Sequence, residues 1–168
     1  YRWLGESFMD NVQSVNSKKI LIVDDVETNR FVLRNIISDM GNKPILAENG
    51  IQALKILEKV IPSLILLDVA MPEMDGYEFC GIIKNKPETR DIPIIFISAF
   101  DEPEDIIKGF TLGGEDYITK PFNILEVKAR IKAIMRRVGT DKEEKEKAKL
   151  GKDPIPISEF WDWWNKER

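Results

Sequence analysis

The sequence predicts a doubly wound α/β domain, a parallel sheet of five strands flanked by five helices, with short extensions at both ends. Three observations predict it. Short β-branched apolar runs alternate five times with segments of helical period. The central runs, LILLD (64–68) and IPIIFIS (92–98), are apolar without alternation, as expected of strands covered on both faces. Pairs such as Gly41-Asn42, Asn49-Gly50 and Gly113-Gly114 punctuate the segments.

Taken in order, KKILIVDD (18–25) is the first strand and closes on acids. Thr28–Met40 follows as a helix, with apolar residues at Phe31, Leu33, Ile36, Ile37 and Met40, and Gly41-Asn42 stops it. PILAE (44–48) is the second strand, broken off by Asn49-Gly50. IQALKILEKV (51–60) reads as a helix that leaves through Ile61-Pro62-Ser63. LILLD is the third strand, MPEMDG (71–76) a loop, YEFCGIIK (77–84) a helix and NKPETRD (85–91) a loop. IPIIFIS is the fourth strand, Asp101–Leu112 a helix and DYIT (116–119) the fifth strand. Asn123 then caps a long helix that turns Leu125, Val127, Ile131, Ile134 and Val138 inward.

The chain has 168 residues, 43% hydrophobic and 32% charged, enough for one domain with a core and some tail. A net charge of −4 argues against a surface built to hold nucleic acid or anionic membrane, so neither is expected as a direct partner. No apolar run is long enough to span a bilayer. The single cysteine, Cys80, allows no internal disulfide, which suits the cytoplasm, and it reads as a small buried hydrophobe. The chain contains no histidine, which excludes Ser-His and Cys-His triads and places any phosphohistidine chemistry on another molecule.

The organisation expected is an N-terminal extension (1–17), a central domain (18–138), a charged linker or helix (139–153) and a Trp-rich segment (154–168). All four tryptophans, Trp3, Trp161, Trp163 and Trp164, lie in the extensions, where they either fold back on the domain or dock a partner.

In a parallel α/β sheet, ligands gather beyond the carboxyl ends of the strands. Asp24 and Asp25 end the first strand, Asp68 the third and Ser98 the fourth, and Lys120 follows the fifth. Three carboxylates on one rim repel and call for a cation. Oxygen-only ligands in a shallow site suit Mg²⁺, or Mn²⁺ in its place. A lysine and a hydroxyl at the same spot balance and bind an incoming anion, which completes the parts of a phosphoryl-transfer site. No Gly-rich P-loop accompanies them. Asp75, before Gly76, reads as a turn or helix cap.

Over about residues 18–138 the sequence resembles the receiver domain of two-component response regulators, the CheY-like superfamily with a flavodoxin-like fold. The resemblance rests on VDD (23–25), LLDVAMPEMDG (66–76), the serine of ISA (97–99) and YITKPF (117–122). It implies that Asp68 is the phosphoacceptor and a metal ligand, that Asp25 binds Mg²⁺ directly and that Asp24 does so through water. It implies that Ala70 offers its backbone carbonyl to the metal, and that Lys120 and Ser98 contact the phosphoryl group. Tyr117 matches the aromatic switch that fills space as Ser98 moves inward, and Pro121 the structural proline whose bond to the lysine is usually cis.

The implied donor is a histidine kinase or histidine phosphotransfer protein. The implied response is a shift of the face built from the fourth helix, fifth strand and fifth helix. A homodimer would form through that face or the Trp-rich tail. The domain would thus catalyse its own phosphorylation and act as a switch rather than a metabolic enzyme. Ala70 and Phe100 stand at two family positions that tune hydrolysis, and neither side chain orients a water, so a slow loss of phosphoaspartate is expected. The alternative is a receiver-like adaptor that is never phosphorylated. A Mg²⁺-dependent phosphohydrolase is a third reading, but Val69 and Ala70 stand where it would want a second acid.

Overall fold

The computed structural model describes residues 17–149, with side chains described as far as residue 139. The elements alternate strictly: β1 Lys19–Val23, α1 Glu27–Asp39, β2 Lys43–Ala47, α2 Gly50–Leu57, β3 Leu64–Leu67, α3 Gly76–Lys84, β4 Ile94–Ser98, α4 Pro103–Thr111, β5 Asp116–Thr119 and α5 Ile124–Lys149. All strand pairs are parallel, in the order β2-β1-β3-β4-β5. This is the doubly wound, flavodoxin-like arrangement that the alternation predicts. The strand order reverses direction between β1 and β3, the place where such sheets open a ligand crevice.

Register makes the carboxyl ends nearly flush. Val23 pairs with both Ala47 and Leu67, Leu67 with Phe96, and Ser98 with Thr119. Side chains alternate between the two faces of the sheet. Leu21, Val23, Ile65, Leu67, Ile94 and Phe96 share one core with Ala53 and Leu57 of α2 and Phe79, Cys80 and Ile83 of α3. Ile20, Ile22, Leu64, Leu66, Ile95 and Ile97 alternate to the other face and are equally buried. Both faces are therefore dry, which explains why the strands read as unbroken apolar runs. Cys80 is fully buried, as its apolar neighbours in the sequence suggest.

The helix boundaries follow from local chemistry. Asn49 caps α2 by accepting from the Gln52 N–H, and Asp75 caps α3 by accepting from the Glu78 N–H at 2.8 Å. Asn123 accepts from the N–H groups of Leu125 and Glu126 at the start of α5. β4 begins at Ile94 rather than Ile92, because Pro93 has no N–H to give to the ladder.

Leu125, read as inward, and Phe31, one of the apolar residues at helical period in the first helix, point elsewhere. Leu125 is 75% exposed and Phe31 58% exposed. The buried stripe of α5 is Val127, Ile131 and Ile134, and that of α1 is Leu33, Ile36 and Ile37. Each misplaced residue precedes its stripe by two positions, about 200° around a helix of 3.6 residues per turn, so it faces away.

The described chain falls into two units that part after Ile134. The first holds the sheet, α1 to α4 and the opening turns of α5, and the second begins within α5. The charged stretch from 139 is helical as far as Lys149. The rest of that stretch, the Trp-rich segment 154–168 and residues 1–16 lie outside the described residues. Among the described residues no helix is long and apolar enough to cross a membrane.

Candidate functional site

Two strand ends bring the acids together. Beyond β1 the ladder continues for one more bond, from the Asp24 N–H to the Ala47 carbonyl at 3.2 Å. Beyond β3 the Asp68 N–H reaches the Val23 carbonyl at 2.9 Å. Both carboxylates therefore start from backbone that the sheet holds. Asp24 and Asp68 are 1% and 5% exposed, whereas Asp25 is exposed. Carboxylate oxygens of Asp24, Asp25 and Asp68 lie within 4.8 Å of one another.

Lys120 enters from the end of β5, where its N–H donates to the Ser98 carbonyl. Its Nζ lies 3.1 Å from Asp24 Oδ2 and 3.3 Å from Asp68 Oδ1, bridging the two buried acids. The Lys120–Pro121 bond is cis. Burial, and next the Asp24 charge, raise the Asp68 carboxyl from 3.8 to about 6, while Lys120 pulls it down. One lysine does not offset three crowded carboxylates, so the donor set suits a hard divalent cation, which would lower the cost of ionising Asp68. Oxygen ligands of this number and spacing fit Mg²⁺.

The remaining candidates surround this cluster. Ala70 is exposed at the start of the loop after β3, and the loop's backbone bonds run from Met71 and Gly76 to the Val69 carbonyl instead. Ser98 is fully buried, and its Oγ accepts from the Phe100 N–H at 3.1 Å. Tyr117 is 7% exposed, and its hydroxyl donates to the Phe100 carbonyl at 2.7 Å. The serine and the tyrosine therefore meet on the backbone of one residue, Phe100. Asp75 stands apart from the acid cluster as a helix cap.

Three supports escape a reading of the sequence. The Arg30 guanidinium donates to the Asp24 carbonyl at 2.8 Å and locks the turn after β1. Asp24 Oδ1 also accepts from the Val26 N–H at 2.9 Å, which leaves the carboxylate little freedom. Gly76 packs so tightly that a Cβ there would lie 2.2 Å from the Asp68 carbonyl oxygen. The Asp-Gly pair signals a turn, but nothing local signals that the glycine faces the backbone of Asp68.

Comparisons with known proteins find relatives of the sequence and of the fold. The family model for the response regulator receiver domain matches residues 20–132. "Probable transcriptional regulator ycf27" of Porphyra purpurea is 42% identical over 120 residues, covering 71% of this chain and 48% of that protein. "Phosphate regulon transcriptional regulatory protein PhoB" of Klebsiella pneumoniae is 39% identical over 122 residues, covering 73% of this chain and 53% of that protein. Among solved structures, the signal receiver domain of a signal transduction histidine kinase from Syntrophus aciditrophicus superposes with a TM-score of 0.68 at 34% identity, covering 73% of this chain and 92% of that one.

This chain spans about half the length of the curated relatives it matches. The relatives' role in transcription overturns the expectation, drawn from charge, of no direct dealings with nucleic acid. A net charge of −4 describes only the chain that carries it and says nothing of the other half of such regulators. A set of partners restricted to a phosphodonor and a second copy of the chain is corrected with it.

Proposed function

The chain belongs to the response regulator receiver domain family, and from that premise we propose that it accepts a phosphoryl group on Asp68 and relays that event to control transcription. The observation that carries the reading is the position of Lys120 Nζ, within 3.3 Å of Asp68 and 3.1 Å of Asp24, beside a third carboxylate. A lysine so placed can turn from the acids to the oxygens of a phosphoryl group on Asp68.

The chain has no histidine, so the donor is a phosphohistidine outside these 168 residues. An Asp68 carboxylate oxygen attacks the phosphorus, the P–N bond breaks, and its electron pair returns to the donor imidazole. Asp25 and Asp68, with the Ala70 carbonyl and with Asp24 through water, would hold Mg²⁺. When bound, the ion screens the charge gathered between Asp68 and the incoming group. Lys120 stabilises the same charge from the other side. Ser98 then donates to a phosphoryl oxygen, and Tyr117 follows through their shared hold on Phe100.

We place this switching unit at 18–138. Transcription as the output is supported by the names of the relatives.

Incubation with acetyl phosphate and Mg²⁺, followed by intact-mass measurement, tests the reading. One added phosphoryl group, lost in Asp68→Asn, is the expected result. No adduct in the wild type would favour an unphosphorylated adaptor. Steady turnover of phosphomonoesters would favour a hydrolase.

A further inference from the structure

A second tyrosine near the switch has no part in the chemistry above. Tyr77, in the first turn of α3, is 7% exposed. Its hydroxyl donates to the Asp105 carbonyl of α4 at 3.0 Å. The Lys108 ammonium, also on α4, lies 4.6 Å from the centre of its ring. Tyr77 packs on Phe96 at 5.5 Å between centroids, and Phe96 packs on Tyr117 at 5.9 Å. α4 presses on this aromatic row so closely that a Cβ at Gly109 would lie 3.0 Å from Tyr117 and 3.1 Å from Phe96. Burial, and next the neighbouring Tyr117 hydroxyl, hold the Tyr77 phenol above its ordinary value.

The segment from Ser98 to Asp105 is thus fastened at three points. Ser98 Oγ holds the Phe100 N–H, Tyr117 holds the Phe100 carbonyl, and Tyr77 holds the Asp105 carbonyl. A buried tyrosine whose only need is a partner for its hydroxyl could find one on its own element or a fixed strand. Here the partner is the first turn of the helix that continues the Ser98–Phe100 loop.

We propose that Tyr77 is a positioning residue of the switch: by fixing the first turn of α4 it keeps Phe100 where Tyr117 and Ser98 both hold it, the arrangement in which Ser98 stands ready for a phosphoryl group. The proposal rests on the reading of Asp68 as phosphoacceptor and Ser98 as its hydroxyl partner. Without the Tyr77 hydroxyl, α4 and its loop sample other positions, and the population able to receive the phosphoryl group falls. Affinity falls in proportion to that population.

The test is calorimetric titration of the full chain with beryllium fluoride, a phosphoryl mimic, in saturating Mg²⁺. Tyr77→Phe keeps the ring and removes one hydrogen bond, and should weaken beryllium fluoride binding by about fivefold. Binding of Mg²⁺ alone should be unchanged. Tyr117→Phe should weaken the mimic too, and the double variant should lose less than the product of the two single losses, because both hydroxyls hold one segment. Unchanged affinity in Tyr77→Phe with a lowered melting temperature would make Tyr77 ordinary core and overturn the proposal. Tighter binding would also overturn it, since the hydroxyl would then favour the unphosphorylated arrangement. A wild type that does not bind beryllium fluoride overturns the phosphoacceptor reading itself, and that result is seen before any variant is compared.

Discussion

Gly76 sets how closely α3 approaches the strand end that carries Asp68. A side chain there would meet the Asp68 carbonyl oxygen at 2.2 Å and the Val69 Cα at 2.9 Å, both backbone atoms that have nowhere to go. Gly76→Ala should therefore displace α3 or the β3 terminus, cost upwards of about 2 kcal/mol in urea denaturation, and slow adduct formation with acetyl phosphate. Asp75→Ala, one residue earlier, removes only the bond to the Glu78 N–H and should cost about 1 kcal/mol with adduct formation unchanged. Phosphorylation that survives Gly76→Ala intact would show that the spacing is not used by the site. The two residues illustrate what a sequence shows at this scale. The cap is legible because donor and acceptor are three residues apart, whereas the glycine's contact joins loop and strand end only after folding. Arg30 escapes for the same reason, since its partner is a backbone carbonyl six residues back across a turn. Phe100, 44% exposed, tests the tuning of hydrolysis: Phe100→Glu should shorten the lifetime of the phosphorylated form several-fold, measured by intact mass over time.

At the level of elements, α5 separates what periodicity shows from what it leaves open. The spacing of apolar residues identifies the helix and Asn123 fixes its start, but the phase of the buried stripe is set by the sheet it meets. Val127 and Ile131 are fully buried and Ile134 nearly so, while Leu125 stands in water. Ile131→Ala should cost about 2–5 kcal/mol by removing packed core. Leu125→Ala should change stability by less than about 0.5 kcal/mol. Thermal or urea unfolding of the two variants checks both, and a large loss in Leu125→Ala would contradict the observed exposure. The strands carry a plainer signal. Their two faces are both covered, so continuous apolar runs mark them without any need to know the phase. The acids that end β1 and β3 then follow directly, because a parallel sheet places every strand's carboxyl end on one rim.

For the whole molecule, the site works against the fold that builds it. The sheet order brings Asp24 and Asp68 from distant parts of the sequence to adjacent strand ends, with carboxylate oxygens within 4.8 Å of each other. Lys120 offsets part of the repulsion from a third strand end. What remains shows in Asp68, whose carboxyl is raised to about 6 by burial and by Asp24. A carboxyl raised in the folded state binds its proton more tightly there than in the unfolded chain. Ionisation at neutral pH therefore opposes folding, and the penalty fades as pH falls through about 6. Asp68→Asn removes that charge and leaves Lys120 its bond to Asp24. With a chelator present at neutral pH, Asp68→Asn should be more stable than the wild type by about 1 kcal/mol, because solvent at the rim screens much of the repulsion. Lowering the pH below 6 should narrow the difference, as the wild type takes up its proton. Adding Mg²⁺ at neutral pH should narrow it too, because a ligand that binds only the folded state stabilises in proportion to its occupancy, and the wild type keeps the ligand that the variant has lost. Melting temperatures under the three conditions decide the matter. A metal-free Asp68→Asn less stable than the wild type would mean that Lys120 already balances the cluster, and that no cation is needed to hold the acids together.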